Sequence, residues 1–126
     1  MTSTAQKKRL VVIDDSPVET MIFETLAEKV DCDAFITVSF EQAKQYCQQH
    51  TVDVLVSDLN IGDKSGFDII VAANSNPDNQ GLKSFICSSE SPEQYRDKMQ
   101  SDGVTAWIVK PIKSEALLKM LKRLLE

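Results

Sequence analysis

The chain is poor in the residues that usually announce a chemistry or a compartment. It has three cysteines in 126 residues, and Cys32, Cys47 and Cys87 fall at neither zinc-ligand nor redox-pair spacing. Their apolar or helical settings read as reduced, mostly buried thiols, which excludes a disulfide framework. No apolar run approaches the length needed to cross a bilayer. The basic Lys7-Lys8-Arg9 is followed by a short apolar run and then by two aspartates, which excludes a secretory signal. Positive charge is scarce as well. Lys and Arg number 14 against 19 Asp and Glu, a net charge of −5, which argues against a sequence-independent grip on nucleic acid or an anionic membrane. Repeats, linkers and low-complexity stretches are missing. Residues 1–8 read as a flexible N-terminal extension and 9–126 as one domain, expected in the cytoplasm.

What is there is an ordinary globular composition, 42% hydrophobic and 26% charged, with a regular alternation. Apolar, β-branched runs at 9–13, 33–38, 52–57, 84–87 and 106–109 predict strands buried on both faces. Helical patterns lie between and after them. Ser16-Pro17-Val18-Glu19 offers an N-cap serine, a proline at the first helical position and a glutamate three residues after the cap. Ser39-Phe40-Glu41-Gln42 and Ser91-Pro92-Glu93-Gln94 repeat that logic. The first helix is expected to run to Lys29 and the second to Gln49. The third covers Phe67–Ala73 and ends before the polar turn 74–79. The fourth covers Pro92–Gln100 with Tyr95 and Met99 as its buried stripe, and the fifth Ser114–Leu125 with Leu117, Met120, Leu121 and Leu124.

A five-stranded parallel α/β sheet of this kind, doubly wound, commonly has the strand order 2-1-3-4-5. Right-handed crossovers then put the first and fifth helices on one face and the other three on the opposite face. The switch point falls between strands one and three, and ligands of open α/β sheets bind at the carboxyl end of such a point. Polar residues sit at those ends. Asp14-Asp15 follows Leu10–Ile13, Asp58 follows Val54–Ser57, Ser88 follows Phe85–Cys87, and Lys110-Pro111 follows Trp107–Val109.

Three acids in one crevice repel each other unless a cation compensates. Magnesium, which binds through one or two carboxylates, several waters and a phosphate, suits them. Asp15 and Asp58 are the expected direct ligands, Asp14 acts mostly through water, and a backbone carbonyl such as that of Asn60 completes the protein's share. Asp58, followed by a long polar loop, is the best nucleophile, since a carboxylate attacking phosphorus gives an acyl phosphate. Lys110 would neutralise charge on the phosphoryl oxygens, and Ser88 would donate its hydroxyl to one of them. Read singly, each has an ordinary alternative: an acidic helix start, a turn serine, a solvated lysine before a proline.

Taken together, these residues resemble the receiver domain of two-component response regulators, from Arg9 to Leu125. The resemblance rests on Asp14-Asp15, Asp58, Gly66 eight residues later, Ser88 and Lys110-Pro111. It implies a flavodoxin-like (βα)5 fold. It also implies magnesium-dependent transfer of a phosphoryl group to Asp58 from a histidine kinase or histidine-phosphotransfer domain. In the family Ser88 then contacts the phosphate while an aromatic residue, here Trp107, changes rotamer, altering the surface of helix four, strand five and helix five for a downstream protein. Gly62 stands where the family often has proline, implying a more mobile loop. Asn60 and Glu90 occupy positions that tune attack of water on the acyl phosphate.

The reading is therefore a phosphoacceptor switch, monomeric or weakly dimeric, with self-catalysed phosphorylation and dephosphorylation and no turnover of a substrate. One alternative is a receiver module from a hybrid kinase or multidomain regulator. Another is an aspartyl-nucleophile phosphatase, disfavoured because Asn60 stands where a general acid would be needed. His50, expected to be solvated beyond helix two, argues against a histidine-to-aspartate relay inside this chain.

Overall fold

Five strands built from the expected apolar runs form one parallel sheet in a computed structural model that describes residues 7–126. The strands are β1 (Arg9–Ile13), β2 (Asp33–Thr37), β3 (Val54–Asp58), β6 (Lys83–Ser88) and β7 (Ala106–Val109). Their order, β2-β1-β3-β6-β7, is the expected 2-1-3-4-5 once a small hairpin, β4 (Asn60–Ile61) and β5 (Lys64–Ser65), is counted in the chain numbering. Most of the extension proposed for residues 1–8 lies outside the described residues.

Five helices cover the sheet: α1 (Pro17–Ala27), α2 (Phe40–Gln49), α3 (Gly66–Asn74), α4 (Arg96–Asp102) and α5 (Ser114–Leu125). Side chains alternate across a strand, and this splits the core into two layers. Leu10, Val12, Val54, Val56, Phe85 and Cys87 pack against Phe23 and Leu26 of α1 and Leu117, Leu121 and Leu125 of α5. Val11, Ile13, Leu55 and Ile86 pack against Ala43 and Cys47 of α2 and Ile69, Ile70 and Ala73 of α3. Tyr95 and Met99 close that second layer from the α4 side.

Register brings the strand ends level. Ile13 is opposite Ser57, Asp58 opposite Cys87, and Ser88 opposite Val109. The polar residue that ends each run therefore emerges at the same rim of the sheet.

Several local features differ from expectation, each for a physical reason. The first helix ends at Ala27, short of Lys29, because the next turn tightens: Lys29 and Val30 donate to the carbonyls of Leu26 and Ala27, three residues back, and Val30 is buried. Ser91 does not cap the fourth helix. A 3₁₀ turn over Glu93–Tyr95 comes first and α4 starts at Arg96, with Tyr95 stacked on Trp107. His50 is half-buried, not solvated. Its ring stacks on Tyr46 with centroids 4.2 Å apart, and its Nδ1 lies 3.2 Å from the Tyr46 carbonyl oxygen.

The polar turn 74–79 contains a buried side chain. Asn79 accepts from the Val52 amide at 2.7 Å and donates to the carbonyls of Cys47 at 3.2 Å and Ala73 at 3.0 Å. It thus pairs buried backbone groups of α2, α3 and the approach to β3, which would otherwise carry a desolvation cost.

Candidate functional site

The rim between β1, β3 and β7 gathers three carboxylates around one ammonium, with a fourth, Asp15, beside two of them. Lys110, which follows β7, is joined to Pro111 by a cis peptide bond. Its Nζ donates to Asp58 Oδ1 at 3.0 Å and to Glu19 Oε1 at 3.0 Å, and lies 3.8 Å from Asp14 Oδ2. Oxygens of Asp14, Asp15 and Asp58 lie within 4.8 Å of one another. The acids expected from the sequence are together, and the expected lysine is aimed at the expected nucleophile.

Asp14 is buried, and one of its oxygens accepts from the Ser16 amide at 2.9 Å. Burial first, then the neighbouring Glu19 carboxylate, push Asp14 up to about 7. Burial alone would lower Lys110, but its hydrogen bonds to Glu19 and Asp58 outweigh that and hold it above the ordinary lysine range. Burial would likewise raise Glu19, but Asp14 and Lys110 together hold it below the ordinary carboxylate value.

Glu19 does not act as its spacing from Ser16 suggests. A glutamate three residues after a cap serine commonly accepts from the cap amide. Ser16 does accept from the Glu19 amide, at 3.4 Å, but its own N–H is already taken by Asp14. The Glu19 carboxylate instead crosses to Lys110, with Oε2 only 2.6 Å from Nζ. A reciprocal capping box is present elsewhere, at the start of α3, between Ser65 and Asp68.

The segment after Asp58 is a hairpin and not a loose loop. Leu59 and Ile61 are buried, Asn60 and Ile61 pair with Ser65 and Lys64, and the turn is Gly62-Asp63. Gly62 has φ of +61° and is the sole positive φ in the turn, the signature of a type II′ hairpin turn. Its N–H donates to Asp15 Oδ2 at 3.1 Å, so the hairpin is tied to the acid pair. A proline there would lack that donor. Gly66 answers a different need. A Cβ at 66 would press on the Asp58 carbonyl oxygen and come within 2.8 Å of Ser57 Oγ, while the Gly66 amide donates to the Leu59 carbonyl at 2.8 Å. Only a bare backbone lets α3 begin so close to the end of β3.

Asn60 is exposed on the hairpin. Ser88 is buried, and its hydroxyl accepts from the Glu90 amide at 3.0 Å. Trp107 is half-buried on β7. Its indole N–H donates to the Glu90 carbonyl at 3.0 Å, and its ring stacks on Tyr95 at 5.2 Å. Tyr95 in turn contacts Phe67 at 5.9 Å, so three rings run from the start of α3 to the edge strand.

Comparison with known proteins decides the family. Residues 10–122 match the response regulator receiver domain. The chain belongs to that family. This receiver domain is 21% identical over 124 residues to the two-component response regulator ORR1 of Oryza sativa subsp. indica, covering 90% of this chain and 54% of that protein. It thus spans about half the length of that curated relative. Its fold resembles the chemotaxis response regulator CheY4 of Vibrio cholerae, with a TM-score of 0.83 at 25% identity, covering 95% of this chain and 100% of the other. A second likeness in fold is the receiver domain of the sensor histidine kinase PA1611 of Pseudomonas aeruginosa PAO1, solved with a magnesium ion coordinated in its active site cleft. That likeness has a TM-score of 0.79 at 15% identity and covers 95% of this chain and 98% of the other.

The oxygen-only acid cluster of this receiver domain fits a hard divalent cation. Its carboxylates are close enough to share one ion, and a cation there would favour the ionised form of Asp14, which burial and Glu19 otherwise push up to about 7.

Proposed function

We propose that this receiver domain is a reversible phosphoryl switch with Asp58 as acceptor. The observation that carries the reading is the 3.0 Å contact between Lys110 Nζ and Asp58 Oδ1 beside the acid cluster. An Asp58 carboxylate oxygen attacks phosphorus as the bond from phosphorus to a donor imidazole nitrogen breaks. The acyl phosphate forms, and the imidazole leaves with the bonding electron pair. Lys110 offers its ammonium to the phosphoryl oxygens, where the transition state spreads its charge.

Asp14, Asp15 and Asp58, with the backbone carbonyl of Asn60, would hold magnesium, which neutralises charge on the phosphoryl oxygens when bound. Ser88 reaches the phosphate by leaving its turn with Glu90. Trp107, which shares Glu90 as a partner, is positioned to feel that departure. The two-state element biased by the added charge is the surface of α4, β7 and α5.

On this reading the partners are a histidine kinase or phosphotransfer domain and a downstream protein, met in the cytoplasm, and the protein catalyses only its own phosphorylation and dephosphorylation. The match to about half of ORR1 favours a second possibility for the whole protein, that this domain serves a longer chain. The phosphoacceptor chemistry is the same in both.

Incubation with magnesium and acetyl phosphate tests it. Intact mass should rise by one phosphoryl group in the wild type and stay unchanged in Asp58→Asn or when a chelator is present. Beryllofluoride with magnesium should change Trp107 fluorescence in the wild type alone. A wild-type protein that gains no mass under these conditions removes the reading.

A further inference from the structure

Lys110 is not held by the acceptor alone. Its ammonium has three N–H donors, and the shortest of its contacts, 2.6 Å, is to Glu19 and not to Asp58. Glu19 is placed for this by α1: it stands in the first turn with its capping role taken over by Asp14, so its side chain is free to reach across to β7. It approaches Lys110 with both oxygens, at 3.0 and 2.6 Å.

We propose that Glu19 is a positioning residue that competes with Asp58 for Lys110 and so sets how readily the acceptor is phosphorylated. The inference rests on the phosphoacceptor reading above. Phosphoryl transfer places new negative charge beyond the Asp58 carboxylate, and an ammonium already paired with a second carboxylate stabilises that charge less. To follow the phosphoryl oxygens, Lys110 must give up part of its contact with Glu19. The glutamate thus restrains the resting site, and the phosphorylated state releases it.

The experiment compares wild type, Glu19→Gln, Glu19→Asp and, as a control on the same helix, the exposed Val18→Ala. One arm measures initial labelling by acetyl phosphate at saturating magnesium. Glu19→Gln should label several-fold faster, Glu19→Asp should fall between it and wild type, and Val18→Ala should match wild type. The other arm uses ¹⁵N-lysine protein without metal or donor and reads the Lys110 ammonium resonance. In Glu19→Gln that resonance should move towards the position it takes in wild type with magnesium and beryllofluoride, a signature that a merely structural role would not produce. An unmoved resonance, or labelling of Glu19→Gln that is equal to or slower than wild type, overturns the proposal. No labelling of the wild type overturns the phosphoacceptor reading and takes this inference with it, whereas wild-type labelling unchanged by the substitution overturns the inference alone.

Discussion

The Gly62 amide donates to the Asp15 carboxylate at 3.1 Å, so the turn after β3 is fastened to the acid pair at the end of β1. The bond needs two things of residue 62, a backbone N–H and a positive φ. Nothing crowds a Cβ at this position. Gly62→Ala should therefore cost only the strained positive-φ backbone, about 1–3 kcal/mol, whereas Gly62→Pro should also break the tie to Asp15. Urea unfolding measures the first effect. A weaker magnesium affinity of the proline variant than of the alanine variant, by titration calorimetry, measures the second.

Gly66 presents the opposite case, with an ordinary φ but no room. Gly66→Ala must push α3 away from the Asp58 carbonyl and Ser57. The expected loss is roughly 1–3 kcal/mol, the usual range for overpacking, together with slower labelling by acetyl phosphate. A variant of full stability and full labelling would show that the helix start can shift without disturbing Asp58.

Metal-free stability should depend on pH through Asp14. Its folded value is raised from 3.8 to about 7, so between those values the native state holds a proton that the unfolded state has released. Stability therefore falls as pH rises through that window. Glu19, held below 4.5, contributes in the other direction, with stability lost only as pH falls below that value. Urea midpoints in a chelating buffer should decline from pH 5 to 7.5, and the decline should flatten in Asp14→Asn. Saturating magnesium should reduce it as well, because the cation favours the ionised carboxylate.

The thiols should differ in reactivity. Burial pushes Cys47 and Cys87 up to about 12, and Cys32, raised less, is half-buried. Alkylation of the native protein near pH 8 should mark Cys32 first and leave the other two until denaturant is added. Peptide mass mapping gives the order.

Asp14, Asp15, Asp58, Ser88 and Lys110 were legible in the sequence because each ends or follows an apolar run, and parallel strands in register must deliver such residues to one rim. The strand order and the division of the helices between two faces were legible for the same reason, through periodicity and handedness. Glu19 was not. In a chain, a glutamate three residues after a serine reads as a cap, and only the three-dimensional neighbourhood reveals that Asp14 has already satisfied the amide it would cap. The hairpin at 60–65 escaped because two-residue strands carry no period, and Gly62 was read as a source of mobility where the fold uses it to make a bond. Asn79 escaped because two of its three partners lie 27 and 32 residues away in sequence, and nothing in a polar turn distinguishes the side chain that becomes buried.

That same asparagine reverses a common expectation about surface turns, which usually absorb inserted residues without harm. One amide at position 79 serves three backbone partners, so a residue added just before it would withdraw all three bonds at once, and of those partners the Cys47 carbonyl alone keeps a second side-chain donor, Asn76 Nδ2 at 3.1 Å. Two positions further on, at Gly81, a Cβ would meet open space. Within a few residues of one another, the turn between α3 and β6 therefore holds a site that should reject insertion and a site that should accept it. Length variation among related chains would be confined to its second half.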